Sequence, residues 1–223
     1  MSIANYFTLL RLFISPIFLL IYLEHDSLGI SSYALPYVLL LLLVLSEFTD
    51  ACDGFLARRY NQVTDLGKIL DPMADSIARI TMFLTFTQEP VKLPIYLIFV
   101  LLYRDFVVST LRTVCALRGF ALAARMSGKI KAIIQALAAF LVIFLMILHA
   151  QGEISTDTLQ TASAWIVAVA AVYTLFSGID YILANRKYIA KLLVIPKAKI
   201  WADKSRAYFK TLSQRRKTPL YHK

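Results

Sequence analysis

Cysteine and histidine are scarce in this chain of 223 residues: there are two cysteines, Cys52 and Cys115, and three histidines. So few cysteines exclude a disulfide framework. Cys52, between two aspartates, reads as a small filler facing a neighbouring helix rather than a thiol nucleophile. His25 and His149 fall at the outer ends of apolar runs and His222 lies near the terminus, so none joins a candidate site. Glycine and proline number seven each, and no Pro/Gly/Ser-rich linker or internal repeat interrupts the chain, which argues against several tethered domains. No basic segment precedes the first apolar run, Arg11 and Pro16 interrupt it, and no small-x-small site follows. That run is therefore expected to stay as a membrane span rather than be cleaved as a leader.

Apolar residues are abundant instead. They make up 59% of the chain, and the mean hydropathy is +0.65, more than a water-soluble domain of this length needs. Six runs have the length of membrane-spanning helices: 6–23, 33–49, 69–86, 93–117, 130–149 and 162–184. The expected fold class is an all-α integral membrane protein with six transmembrane helices, a membrane domain over 1–184 and a basic tail over 185–223. Twelve Lys or Arg face one acid, Asp203, in that tail, whereas the whole chain carries +10; the body before it is therefore close to neutral. A polybasic segment directly after a membrane helix reads as a contact with the lipid surface, with Trp201, Tyr208 and Phe209 interleaved, and not as a nucleic-acid arm. Lys and Arg concentrate on cytoplasmic loops, so the tail places the C-terminus in the cytoplasm and six spans place the N-terminus there too. The loops with Glu24 and Asp26, with Glu89, and with Glu153 and Asp157 then face outward, and those with Arg58 and Arg59 and with Arg125 and Lys129 face inward.

At one cytoplasmic junction the chain reads Asp50-x2-Asp53-Gly54-x2-Ala57-Arg58-x8-Gly67-x3-Asp71-x3-Asp75. Carboxylates near lipid are costly and usually serve a site. Helical spacing puts Asp50, Asp53, Gly54 and Ala57 on one side of one helix end, and Asp71 and Asp75 on one side of the next. Four carboxylates at two facing helix ends suit one or two hard divalent cations, Mg2+ or Mn2+, and the lack of His and Cys ligands makes zinc a poor fit. Gly54 and Ala57 leave room for a nucleotide, Arg58 offers a planar fork to a phosphate, and Thr64 offers a hydroxyl. Asp75 is placed to accept a proton from an incoming hydroxyl, or to form a plain ion pair with Arg79 one turn on.

The pattern from Asp50 to Asp75 resembles the signature of the CDP-alcohol phosphotransferases, membrane enzymes of phospholipid synthesis. The resemblance implies six helices around a cytosol-facing polar cavity, a homodimer, and two metal ions held by Asp50, Asp53, Asp71 and Asp75. It implies that Asp53, Gly54, Ala57, Arg58, Thr64 and Gly67 bind CDP-diacylglycerol, that Asp75 is the catalytic base, and that CMP leaves. It further implies a multi-pass protein of the bacterial inner membrane with its active site in the cytoplasm.

Flanking segments resemble the branch of that family whose acceptor is glycerol 3-phosphate: Asn5 to Arg11 with Pro16, Asp71-Pro72-Met73-Ala74-Asp75, Tyr103-Arg104-Asp105, and Ser127 to Lys131 with Gln135. An acceptor carrying a phosphate needs cations, and Arg104, Arg112, Lys129 and Lys131 supply them near the cytosolic halves of their helices. Two positions depart from that branch, Ser76 where lysine is usual and Asp105 where glutamate is usual. Serine, inositol phosphate and phosphatidylglycerol stay open as acceptors. A transporter, the reading from another class, would more often show broken helices or internal repeats.

Overall fold

The computed structural model describes residues 3–59, 65–117 and 125–193, and within them leaves aside the side chains of 3–8, 50–59, 65–72, 116, 187 and 191–193. Every regular element among the described residues is a helix: α1 Ile3–Leu23, α2 Leu35–Arg59, α3 Asp65–Thr85, α4 Ile95–Leu117, α5 Met126–Ala150 and α6 Thr156–Leu193. Each expected run coincides with one of them, but α2 continues ten residues past Thr49 through the first half of the aspartate motif, and α6 begins and ends outside 162–184. The polar residues at these ends ended the apolar runs without ending the helices.

Local chemistry explains several boundaries. Ser155 caps α6: its Oγ accepts the Thr158 N–H at 3.2 Å, and Asp157 in the first turn favours the positive end of the helix dipole. At the far end of α5, Gly152 takes φ +81, a left-handed conformation that a side chain would strain. Its N–H bonds the carbonyl of His149 at 3.0 Å, and the N–H of Glu153 bonds that of Leu148 at 3.0 Å. Those two bonds form a Schellman closure of the last turn.

The chain divides into two units, residues 1–185 and 186–223. Within the first, α1 packs against α2 and α3, α2 against α5, and α3 against α4 and α5. The core they enclose is aromatic at one end, where Phe86 meets Phe18, Tyr22 and Phe83 edge to face at 6.0–6.4 Å. Leu39, Leu43, Met82, Leu101, Val142 and Ile143 continue it. The outside is also apolar: Leu41, Phe99, Phe106, Trp165, Val169 and Phe176 are all exposed. Such a surface suits hydrocarbon rather than water.

Among the described residues, two helices are long and apolar enough to cross a membrane, Met126–Ala150 and Thr156–Arg186, and Leu9–Leu23 and Leu35–Thr49 are shorter apolar stretches. α3 and α4 are interrupted by charge: Asp71, Asp75 and Arg79 in one, Arg104, Asp105 and Arg112 in the other. Of these, Asp75, Arg79, Arg104, Asp105 and Arg112 line a polar cavity inside the bundle.

Candidate active site

Asp75 lies in the middle of α3, buried on most sides. Arg11 of α1 donates from Nη1 to its Oδ1, and Arg79, one turn along α3, places Nη2 3.6 Å from its Oδ2. The expected i,i+4 pair with Arg79 is present, and Arg11 joins it from 64 residues away. A carboxylate gripped from two helices is oriented rather than freely rotating, and charge-assisted bonds of this kind are the strong ones.

Beside Asp75 opens a cavity of about 300 Å3 between α3, α4, α5 and α6. Among the described residues Arg79, Arg104, Arg112, Arg125, Lys129 and Lys131 line it, against two acids, Asp75 and Asp105. The four cations expected to meet an acceptor phosphate, Arg104, Arg112, Lys129 and Lys131, thus share one wall system. They differ in state. Lys131 is 4% exposed, and its Nζ donates to both oxygens of Asp105 at 2.6 and 2.8 Å. Burial of an ammonium without such a partner would be prohibitive. Arg104 shares Asp105 through Nη1 at 3.1 Å and donates through Nη2 to Ser177 Oγ at 2.6 Å. The Arg112 guanidinium lies 6.0 Å from the centre of the Tyr181 ring, at the outer limit of a cation–π contact, and Lys129 is exposed.

The entrance to α5 is tied to α6 by Asp180, whose Oδ2 accepts from Ser127 Oγ at 2.6 Å and from Arg125 Nε at 3.0 Å. Deeper in, Gln135 Nε2 donates to Thr174 Oγ1 at 3.1 Å, with both side chains fully buried. A polar ladder therefore joins α5 to α6 alongside the cavity.

Of the motif, Asp50, Asp53, Gly54, Ala57 and Arg58 fall on the last part of α2, and Gly67 and Asp71 on the first turns of α3. The side chains of Asp50, Asp53, Arg58 and Asp71 lie outside the described residues, as does Thr64 entirely. Among the described residues no group of three or more His, Cys, Asp or Glu could hold a metal ion. The motif offers carboxylate oxygens only, a donor set that fits Mg2+ or Mn2+.

Ser177, Asp180 and Tyr181 were not legible as site residues from the motif. The available signal is the polar interruption Ser177-Gly178-Ile179-Asp180 inside the apolar run 162–184 of α6. In the sequence Arg11 is only a residue flanking the motif, and its partnership with Asp75 comes from the fold.

Residues 1–176 match the family model for CDP-alcohol phosphatidyltransferase. A curated relative, the CDP-diacylglycerol–glycerol-3-phosphate 3-phosphatidyltransferase of Rickettsia typhi, is 32% identical over 189 residues, which cover 84% of this chain and 98% of the relative. The enzyme of the same name from Bacillus subtilis is 32% identical over 190 residues, covering 82% of this chain and 95% of its own. The chain belongs to the CDP-alcohol phosphatidyltransferase family.

Proposed function

We propose that this membrane protein transfers the phosphatidyl group of CDP-diacylglycerol to the hydroxyl of glycerol 3-phosphate, giving phosphatidylglycerophosphate and CMP. Family membership supports the donor and the reaction, and the relatives named for glycerol 3-phosphate support the acceptor. The observation that carries the proposal is the cation-lined cavity of about 300 Å3 with Asp75 at its edge, a place where an anionic alcohol would lie beside a carboxylate.

In this reading Arg58 holds a donor phosphate, with Asp53, Gly54, Ala57, Thr64 and Gly67 shaping the nucleotide site. Arg104, Arg112 and Lys129, with Lys131 held by Asp105, attract the acceptor phosphate and turn its hydroxyl toward the donor. The hydroxyl oxygen forms a bond to the diacylglycerol-bearing phosphorus, its proton passes to Asp75, and the bond from that phosphorus to the CMP oxygen breaks. Arg11 and Arg79 keep the Asp75 carboxylate aimed at the hydroxyl. Asp50, Asp53, Asp71 and Asp75 would hold two Mg2+ or Mn2+ ions, which when bound neutralise charge on the pyrophosphate.

The same reading gives six membrane spans over 1–184, a cavity opening to the cytoplasm, both termini on that side, and a basic tail over 185–223 lying against anionic lipid. It places the protein in the bacterial inner membrane as a homodimer. Its test is an acceptor panel on purified protein with CDP-diacylglycerol and Mg2+ or Mn2+, comparing glycerol 3-phosphate, serine, inositol 1-phosphate and phosphatidylglycerol by CMP released and lipid formed. Turnover with glycerol 3-phosphate is expected. Turnover confined to another acceptor would overturn the acceptor assignment while keeping the donor and the reaction.

A further inference from the structure

Arg104 reaches the cavity by an unusual route. Its side chain leaves α4 and runs across the face of α6 at Gly178, where an added Cβ would stand 2.9 Å from Arg104 Cγ. The next nearest atoms to that Cβ, Arg104 Nε at 3.8 Å and Cβ at 3.9 Å, belong to the same side chain. The close contact is with the stem, so no rotation at the far end of the arginine would relieve it; the whole guanidinium would have to swing away. One residue earlier, Ser177 is fully buried, and its Oγ accepts from Arg104 Nη2 at 2.6 Å. Asp105 takes Nη1 at 3.1 Å. α6 thus supplies a bare backbone step for the stem and an acceptor for the tip, while Asp105 fixes the other edge of the fork.

We infer that the Ser177–Gly178 step of α6 is a positioning site that sets the Arg104 guanidinium in the basic cavity and so determines affinity for the phosphate of the acceptor. The inference rests on the reading of that cavity as the acceptor site, and adds two α6 residues to it. A planar fork binds an anion well only when both its direction and its distance are held. Gly178 permits the approach and Ser177 locks it; neither touches the acceptor, and both act through Arg104. Glycine costs helix stability, and here it is the contact with Arg104 that gives the residue a purpose.

The test compares full-length wild-type protein with Gly178→Ala, Ser177→Ala, Arg104→Ala and the Gly178→Ala/Arg104→Ala double variant, with KM measured separately for glycerol 3-phosphate and for CDP-diacylglycerol. Gly178→Ala is expected to raise KM for glycerol 3-phosphate about tenfold, as loss of one charge-assisted bond would, and to leave KM for CDP-diacylglycerol unchanged. Ser177→Ala, which adds no bulk, should raise the same KM about threefold on that scale. With Arg104 already removed, Gly178→Ala should add nothing, because the group it displaces is gone. Unchanged acceptor KM in Gly178→Ala and Ser177→Ala overturns the inference, as does an equal rise in both KM values or an effect of Gly178→Ala that persists in full without Arg104. If Gly178→Ala does not fold, Ser177→Ala decides alone. Wild-type protein that releases no CMP with glycerol 3-phosphate overturns instead the acceptor assignment beneath the inference.

Discussion

Asp105 and Lys131 show how much one buried pair can decide. Lys131 is 4% and Asp105 6% exposed, and both carboxylate oxygens face the ammonium. Removing Asp105 leaves the Lys131 ammonium buried without its carboxylate, at a typical cost of about 3–5 kcal/mol. Asp105→Leu is therefore expected to lower the melting temperature of the detergent-solubilised protein markedly, and Asp105→Leu/Lys131→Met to recover part of the loss, since Arg104 also loses Asp105; a single variant as stable as wild type would show that the pair does not hold α4 to α5. Asp75 makes a different prediction, about chemistry. Asp75→Asn keeps size and shape but cannot accept the proton, so turnover should fall by at least about a hundredfold while binding of CDP-diacylglycerol persists in part. Normal CMP release in that variant would remove Asp75 as the base. Arg58→Ala should weaken saturation by CDP-diacylglycerol, and an unmoved KM for the donor would contradict its place at a phosphate. The motif aspartates and Arg58 stand out in the sequence because their spacing lies within one stretch of chain, while the side chains of Asp50, Asp53, Arg58 and Asp71 lie outside the described residues. The partners Arg11, Asp105 and Ser177 do not stand out, because each meets its site across 26 to 73 residues.

Helix ends are where the apolar runs of the sequence stop short of the elements they mark. Apolar runs locate helices by what lipid accepts, so they marked the middles of α2 and α6 and missed their polar ends. Those ends hold their shape through backbone hydrogen bonds, which do not depend on side-chain polarity. Helix ends can be tested apart from the site. Gly152 has φ +81 and nothing within 4 Å of an added Cβ, so Gly152→Ala carries only the conformational strain of a left-handed residue, about 1–2 kcal/mol. A matching drop in unfolding stability is expected with unchanged KM values. No drop would mean that the Schellman turn adds nothing to α5. Between helices the polar ladder of Asp180, Ser127, Gln135 and Thr174 holds α5 to α6, and it is this alignment that lets an arginine on α4 lie against Gly178.

At the scale of the whole molecule, charge is divided along the chain: a near-neutral body precedes a tail with twelve basic residues and one acid. Polybasic segments bind anionic membranes by roughly 1 kcal/mol per basic residue near the surface. Truncation after Lys191 is expected to reduce activity on vesicles rich in anionic lipid, to weaken the salt dependence of that activity, and to leave turnover in neutral detergent intact. Complete loss of turnover in a folded truncated protein would assign the tail to the site instead. By itself the sequence determined that this is an all-helical membrane protein and that four aspartates and an arginine recur at helical spacing between Asp50 and Asp75. Composition and short-range spacing carry those properties, since solvent preference and helical periodicity act locally. Only the tertiary structure decided that Arg11 reaches Asp75, that Asp105 neutralises Lys131, and that Gly178 makes room for Arg104. Such pairings depend on how each helix is rotated and packed against its neighbours, and that rotation is set by the burial of many side chains at once.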